Sequence, residues 1–216
     1  MIDLHMHTFF SDGELVPTEL IRRASVAGYK AIAITDHADR SNTEWLLSNI
    51  VGVVDEIGNA YNIQVVAGVE LTHVPPQSIA DVAQLARDKG AELIVVHGES
   101  IVDMVMPGTN LAAINAGADI LAHPGLMTDE EAQLAAEKGV YLEITTRKGN
   151  SLTNGHVAKM AEKYGAKLVI NNDAHAPSDI LSPELIHKIA LGCGLSEEQY
   201  QQAQQNSADI VARIKG

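Results

Sequence analysis

The chain has 216 residues, 46% of them apolar, enough to bury a sizeable core, and no apolar run reaches the roughly 20 residues of a membrane span. A formal net charge of −13 without a basic run argues against a surface that tracks a nucleic-acid backbone, and a single cysteine, Cys193, excludes an internal disulfide framework. The opening is too acidic, and too soon broken by histidine, for a signal peptide, so a cytoplasmic protein without nucleic-acid or membrane partners is expected.

In chain order, short apolar runs alternate with helical segments. Strands are expected at Ile2 to His5, Ala31 to Thr35, Val65 to Leu71, Leu93 to His97, Ile120 to His123, Val140 to Thr145 and Leu168 to Asn171. Helices are expected at about 17–28, 42–60, 78–90, 109–117, 128–138, 153–165 and 182–191. Pro17 is placed to open the first, and Leu20, Ile21, Ala24 and Ala27 give it one apolar stripe. Thr128 with Glu131, and Ser196 with Gln199, have the spacing of capping boxes. The last stretch, about 196–216, reads as a helical tail packed on a single domain spanning 1–216.

Seven such strand–helix units imply parallel strands joined by right-handed crossovers, either as an open doubly wound sheet or as a closed barrel. No glycine-rich phosphate loop follows the first strand, which removes the commonest dinucleotide-binding version of the open sheet.

The chemistry lies in what closes each strand. The first ends in His5 and His7, two apart and so on one side of an extended segment, with Asp12 just beyond. The others end in Asp36-His37, Glu70, His97, His123, Glu143 with Arg147 beyond it, and Asp173-Ala174-His175. Six of the nine histidines fall at these ends, which converge on one face if the sheet closes. Imidazoles and carboxylates meeting at one place are what divalent metal ions bind. Glu70 would be costly at the end of an apolar strand without a cation or hydrogen-bond partners. His73, His156 and His187 fall outside the pattern and read as ordinary surface or packing residues.

The set His-x-His, Thr-Asp-His, Glu, His, His-Pro and Asp-x-His, in that order from His5 to His175, resembles the PHP (polymerase and histidinol phosphatase) family of metal-dependent phosphoesterases. The resemblance implies a distorted, TIM-like seven-stranded (β/α) barrel with a metal site at the C-terminal ends of its strands. It implies two to three divalent ions (Zn, Mn or Fe). His5, His7, Glu70 and Asp173 would hold one ion; Glu70, His97 and His123 a second; Asp12, His37 and His175 a third. Asp12 stands where some trinuclear members carry histidine, and its carboxylate, a harder ligand than imidazole, shifts the third position toward Mn²⁺, Mg²⁺ or Fe²⁺. The implied reaction is hydrolysis of a small phosphomonoester, such as histidinol phosphate or a nucleotide monophosphate, by a metal-activated hydroxide. Glu70 and Asp173 would serve catalysis through the metals. Arg147 would grip a phosphate oxygen, unless it is a solvated loop charge like Lys148. Asp36 would orient an imidazole or cap a loop or strand end, and Glu99 would touch substrate or a ligand histidine. The alternatives are a phosphodiesterase or 3′-exonuclease, and a catalytically silent, metal-stabilised interaction module.

Overall fold

The computed structural model describes residues 1–216. Eight parallel strands alternate with nine helices: β1 (Ile2–Met6), α1 (Pro17–Val26), β2 (Ala31–Ile34), β3 (His37–Ala38), α2 (Thr43–Ile50), α3 (Val54–Tyr61), β4 (Gln64–Leu71), α4 (Ile79–Asp88), β5 (Leu93–His97), α5 (Thr109–Asn115), β6 (Ile120–Ala122), α6 (Asp129–Lys138), β7 (Tyr141–Thr145), α7 (Asn154–Tyr164), β8 (Leu168–Asn171), α8 (Pro183–Gly192) and α9 (Glu197–Lys215). The order around the sheet is β1-β2-β4-β5-β6-β7-β8, with β3 also on β4. The extra strand leaves the seven-strand reading intact. β2 pairs Ala31 with Gln64 and β3 pairs His37 with Glu70, one continuous register, so β3 resumes β2 after a break at Thr35-Asp36. The expected helix over 42–60 is two helices, because a turn at Val51-Gly52-Val53 interrupts it. Both capping boxes form, at α6 and α9.

The barrel is nearly closed, and its seam lies between β8 and β1. Across it there is only one isolated bridge, Met6 with Ala174, where the His7 N–H donates to the Ala174 carbonyl at 2.9 Å. Side chains supply what the ladder lacks. The Leu4 N–H donates to Asn171 Oδ1 at 2.8 Å, and the Asn172 N–H donates to Asp3 Oδ2 at 2.7 Å. Asp3 is fully buried for this task, and burial drives its carboxyl up to about 7 against the hydrogen bonds from His5 and Asn172.

Two apolar layers hold the fold. The larger lies between strands and helices and takes Leu20 and Ile21 from α1, Leu46 and Leu47 from α2, and Ile32, Val69 and Ile94 from the sheet. The smaller collects Leu4, Ala31, Ala33, Val66, Leu93, Val95, Ile120 and Val169 from the opposite side of the strands, with Ile210 and Val211 of α9 against it. This second set is the barrel interior, and the tail helix plugs its floor. Asn206 of α9 also donates to the Leu168 carbonyl at 2.8 Å. No helix is long and apolar enough to cross a membrane.

Candidate metal centre

Side chains alternate along a strand, so every second residue of the barrel lining leads upward from apolar floor to polar mouth. On β4 the series is Val66, Gly68, Glu70; on β5 it is Leu93, Val95, His97; on β8 Val169 is followed by Asn171 and then Asp173. Two strands break this parity. On β1 the register slips between Asp3 and Met6, so one extra residue moves the lining from Ile2 and Leu4 to His5 and His7. After β6 the lining residue Ala122 is followed directly by His123, whose φ of 26° is unusual for a residue with a Cβ. Asp173 is also left-handed, at φ 52°. Such backbone costs on the order of 1–3 kcal/mol per residue and persists where the surroundings fix it.

The nine side chains expected as ligands all meet at this mouth. His5 Nε2 lies 3.3 Å from Glu70 Oε1, and His7 Nε2 lies 3.3 Å from Asp173 Oδ1. His97 Nδ1 is 3.3 Å and His123 Nε2 3.8 Å from the same Glu70 Oε1. Asp12 Oδ1 stands 3.2 Å from His175 Nε2 and 3.4 Å from His37 Nε2. Four overlapping groups have donor atoms that all lie within 4.8 Å of one another: His5-His7-Glu70, His5-His123-Asp173, Glu70-His97-His123 and His7-Asp12-His37-His175. The third matches the second expected set, and the fourth is the third expected set with His7 added. The first expected set is divided between the two groups that share His5.

Whether these residues fit metal ions can be tested on their own hydrogen bonding. Buried polar atoms in folded proteins are almost always paired. Nine buried side-chain atoms here have no partner, and seven belong to the cluster: His5 Nε2, both ring nitrogens of His7 and of His123, His97 Nδ1 and Glu70 Oε1. Left so, they would cost several times the roughly 1–3 kcal/mol of one unsatisfied group. Cations among them would take one nitrogen of each ring and the Glu70 oxygen, so the donor set fits divalent metal ions.

The electrostatics agree. Burial, then the neighbouring His37 and His175, hold His7 well below the ordinary imidazole range, and burial with His97 holds His123 down to about 4. Both are therefore neutral near pH 7, with lone pairs free to coordinate. Burial opposes the charge on Glu70, but His5, His37 and His97 outweigh it and hold the carboxyl well below its usual value. Burial likewise opposes the cation at His37, which Glu70 and Asp12 nonetheless push up to about 10.

The residues behind the cluster were only partly visible in the sequence. Glu143, fully buried, accepts from His5 Nδ1 at 2.8 Å and from Asn171 Nδ2 at 2.9 Å, which turns His5 Nε2 toward the cluster. Its place in the alternating series of β7, between Tyr141 and Thr145, was the available signal. Thr72 Oγ1 bonds Glu70 Oε2 at 3.0 Å and His37 Nδ1 at 2.7 Å. Asp36 does not orient an imidazole: it accepts from the Thr8 N–H, the Thr8 hydroxyl and the Ser11 hydroxyl, so it is the cap that pins the loop carrying Asp12. Glu99 makes no hydrogen bond to a ligand histidine; its Oε1 accepts from the Gly108 and Asn110 N–H groups at the start of α5. Arg147 is not a solvated loop charge like the exposed Lys148. Its Nη1 donates to the Asp173 carbonyl at 3.1 Å and lies 2.8 Å from His175 Nδ1. Of the three histidines outside the pattern, His156 bonds the Met127 carbonyl and His187 bonds Glu197, whereas His73 stands at the cluster's edge, 6.0 Å from the His97 ring.

Comparisons with known proteins place this geometry in a family. The family model for the PHP domain matches residues 3–105. The uncharacterized protein MJ1295 of Methanocaldococcus jannaschii is 48% identical over 91% of this chain and 91% of its own. Ribonuclease P protein component 3 of Methanosarcina mazei is 28% identical over 87% and 79%, and a probable phosphatase of Thermoanaerobacter sp. (strain X514) 25% identical over 92% and 88%. Among solved structures, a chain of archaeal ribonuclease P with mature tRNA superposes with a TM-score of 0.73 at 17% identity, covering 98% of this chain and 91% of that one. Histidinol phosphate phosphatase from Lactococcus lactis, solved with zinc, L-histidinol and phosphate, superposes with a TM-score of 0.65, also at 17% identity, covering 90% and 94%. With the ligand order of its sequence met by one converging cluster in a nearly closed parallel barrel, the chain belongs to the PHP family.

Proposed function

We propose that the chain is a metal-dependent hydrolase that cleaves a phosphomonoester of a small molecule. The observation that carries this reading is the set of seven unpaired buried atoms on five converging side chains, a donor set without structural purpose unless cations bind it. His5, His7, Glu70 and Asp173 would hold one ion, Glu70 with His97 and His123 a second, and Asp12, His37 and His175 a third. Bound there, two to three divalent ions would supply Lewis-acid charge to phosphoryl oxygens and make a nucleophile of water near neutral pH. The protein's part is positional. Glu143 fixes the tautomer and direction of His5, Thr72 holds Glu70 against His37, and Arg147 presents a guanidinium beside Asp173. A cleft of about 440 Å³, whose wall includes Asp12, His37, Asp39 and Asp103, opens beside the cluster and suits a small substrate.

The likeness to the probable phosphatase supports this reading. A second reading, a metal-stabilised module that assembles with other macromolecules, draws on the likeness to ribonuclease P protein component 3 and reopens the nucleic-acid partnership that net charge alone argued against. Turnover separates the two. Protein purified without chelator and supplied with Mn²⁺ is expected to contain two to three divalent ions by elemental analysis. It should hydrolyse p-nitrophenyl phosphate well and bis(p-nitrophenyl) phosphate poorly. Preference for the diester would make the protein a phosphodiesterase, and metal-loaded protein inert toward both esters would favour the module.

A further expectation concerns Glu143. Partners that orient a ligand histidine contribute about 10- to 100-fold to metal affinity or activity. Glu143→Ala should therefore weaken Mn²⁺ or Zn²⁺ binding by that order, whereas Glu143→Gln, whose amide oxygen still accepts from His5 Nδ1–H, should lose less. Titration against a chelating indicator checks it, and equal affinities in Ala variant and wild type would show that His5 needs no such partner.

A further inference from the structure

Six of the nine histidines enter the cluster, and His156 and His187 are tied down elsewhere. His73 is the one left: its ring makes no hydrogen bond to the protein, and it belongs to none of the four donor groups. Its placement is nonetheless fixed. The residue before it, Thr72, is bonded to Glu70 and His37, and His73 itself sits at φ 55°, a left-handed conformation that residues with a Cβ seldom hold. The turn aims its exposed ring along the cleft wall, near-parallel to the His97 ring at 28° and 6.0 Å.

The donors on that wall narrow the question. Asp12 and Asp103 are carboxylates and, when ionised, only accept. The Thr72 hydroxyl is committed to Glu70, and Asn42 Nδ2 donates to the His37 carbonyl at 2.9 Å. His73 brings the one uncommitted ring N–H to the cleft that opens beside the cluster.

We propose, resting on the phosphomonoesterase reading, that His73 donates a hydrogen bond to the leaving-group oxygen and so sets which alcohols the site can release. In the reaction the oxygen of water forms a new bond to phosphorus. The ester P–O bond breaks with its electron pair going to the leaving oxygen, and a proton from water ends on the released alcohol. Charge on the leaving oxygen in the transition state is large for an alkyl alcohol and small for p-nitrophenol, which disperses it into its ring. A donor placed there therefore accelerates alkyl esters and scarcely touches nitrophenyl ones.

The test compares propyl phosphate with p-nitrophenyl phosphate in the Mn²⁺-loaded wild type, His73→Ala and His73→Gln. His73→Ala should lower kcat/KM for propyl phosphate by about 30-fold or more and for p-nitrophenyl phosphate by less than about threefold. His73→Gln, which keeps an N–H donor, should recover a large part of the propyl phosphate rate. Metal content and inhibition by inorganic phosphate should be unchanged in both variants, since His73 holds neither. Equal losses on the two esters, or no loss on either, would overturn the assignment while leaving the phosphomonoesterase reading in place. A wild type that turns over neither ester would end that reading, and the assignment with it.

Discussion

Glu70→Ala is expected to empty more of the metal centre than any other single change. Its two oxygens face different groups: Oε1 is 3.3 Å from both His5 Nε2 and His97 Nδ1, while Oε2 is 2.6 Å from His37 Nδ1 and 3.8 Å from His7 Nε2. Glu70 and Asp173 each lie within reach of all three expected sets, but Glu70 alone is a member of two of them, so its loss removes a bridge and not one ligand. It is also the ionised carboxylate packed against His5, His37 and His97, and without it the centre loses the negative charge that offsets incoming cations. Metal content should fall by about two ions per chain, and kcat/KM toward a phosphomonoester by at least about a thousandfold, since groups that act as a unit fail together. His175→Ala is the comparison: His175 lies at the edge of one group only, so that variant should lose a single ion. Elemental analysis of both variants, with circular dichroism to confirm folding, decides it. Equal metal loss in the two would contradict the bridge.

Parity explains how much of this centre could be read from sequence. Glu70 and His97 continue the alternation of apolar lining residues on their own strands, so their inward direction follows from the period of a strand; Asp173 keeps the same spacing but lies past the end of β8 on a left-handed backbone. His5 and His7 were legible as a pair, but their inward direction was not. It depends on the slip between Asp3 and Met6, which nothing in an alternating pattern announces. His123 was legible only as a strand-end residue; in the fold it follows an inward-facing Ala122 and is swung to the same side by a left-handed backbone. The seam was hidden for a related reason. Asp3 reads as one polar residue in an apolar strand, and its use as a substitute for a missing β8–β1 ladder needs the tertiary neighbour Asn172. Helix continuity over 42–60 failed on local grounds: Val51-Gly52-Val53 is apolar enough to keep the periodicity, yet glycine between β-branched residues turns there.

The same tertiary dependence makes Arg147 the sharpest test among the groups at the rim. It follows β7, the one strand end that supplies no expected ligand, and its half-buried guanidinium is held on two sides. Nη1 donates to the Asp173 carbonyl and lies 3.8 Å from Asp179 Oδ2, and Nε stands 3.7 Å from Asp173 Oδ2. Nη2 has no hydrogen-bond partner in the protein, so one prong of the fork is left to reach a phosphoryl oxygen. A hydrogen bond from a charged donor contributes roughly 1.5–3 kcal/mol. Arg147→Ala should then lower kcat/KM toward a phosphomonoester by about 10- to 150-fold with the metals still in place. Arg147→Lys should recover part of this, because an ammonium keeps the charge but not the fork. Proximity to Asp173 and His175 gives the competing outcome a distinct signature: an arginine that merely positions these two side chains would lose metal in the Ala variant. A full complement of metal with less than about a threefold loss of kcat/KM would show that the arginine neither touches the phosphate nor holds the ligands.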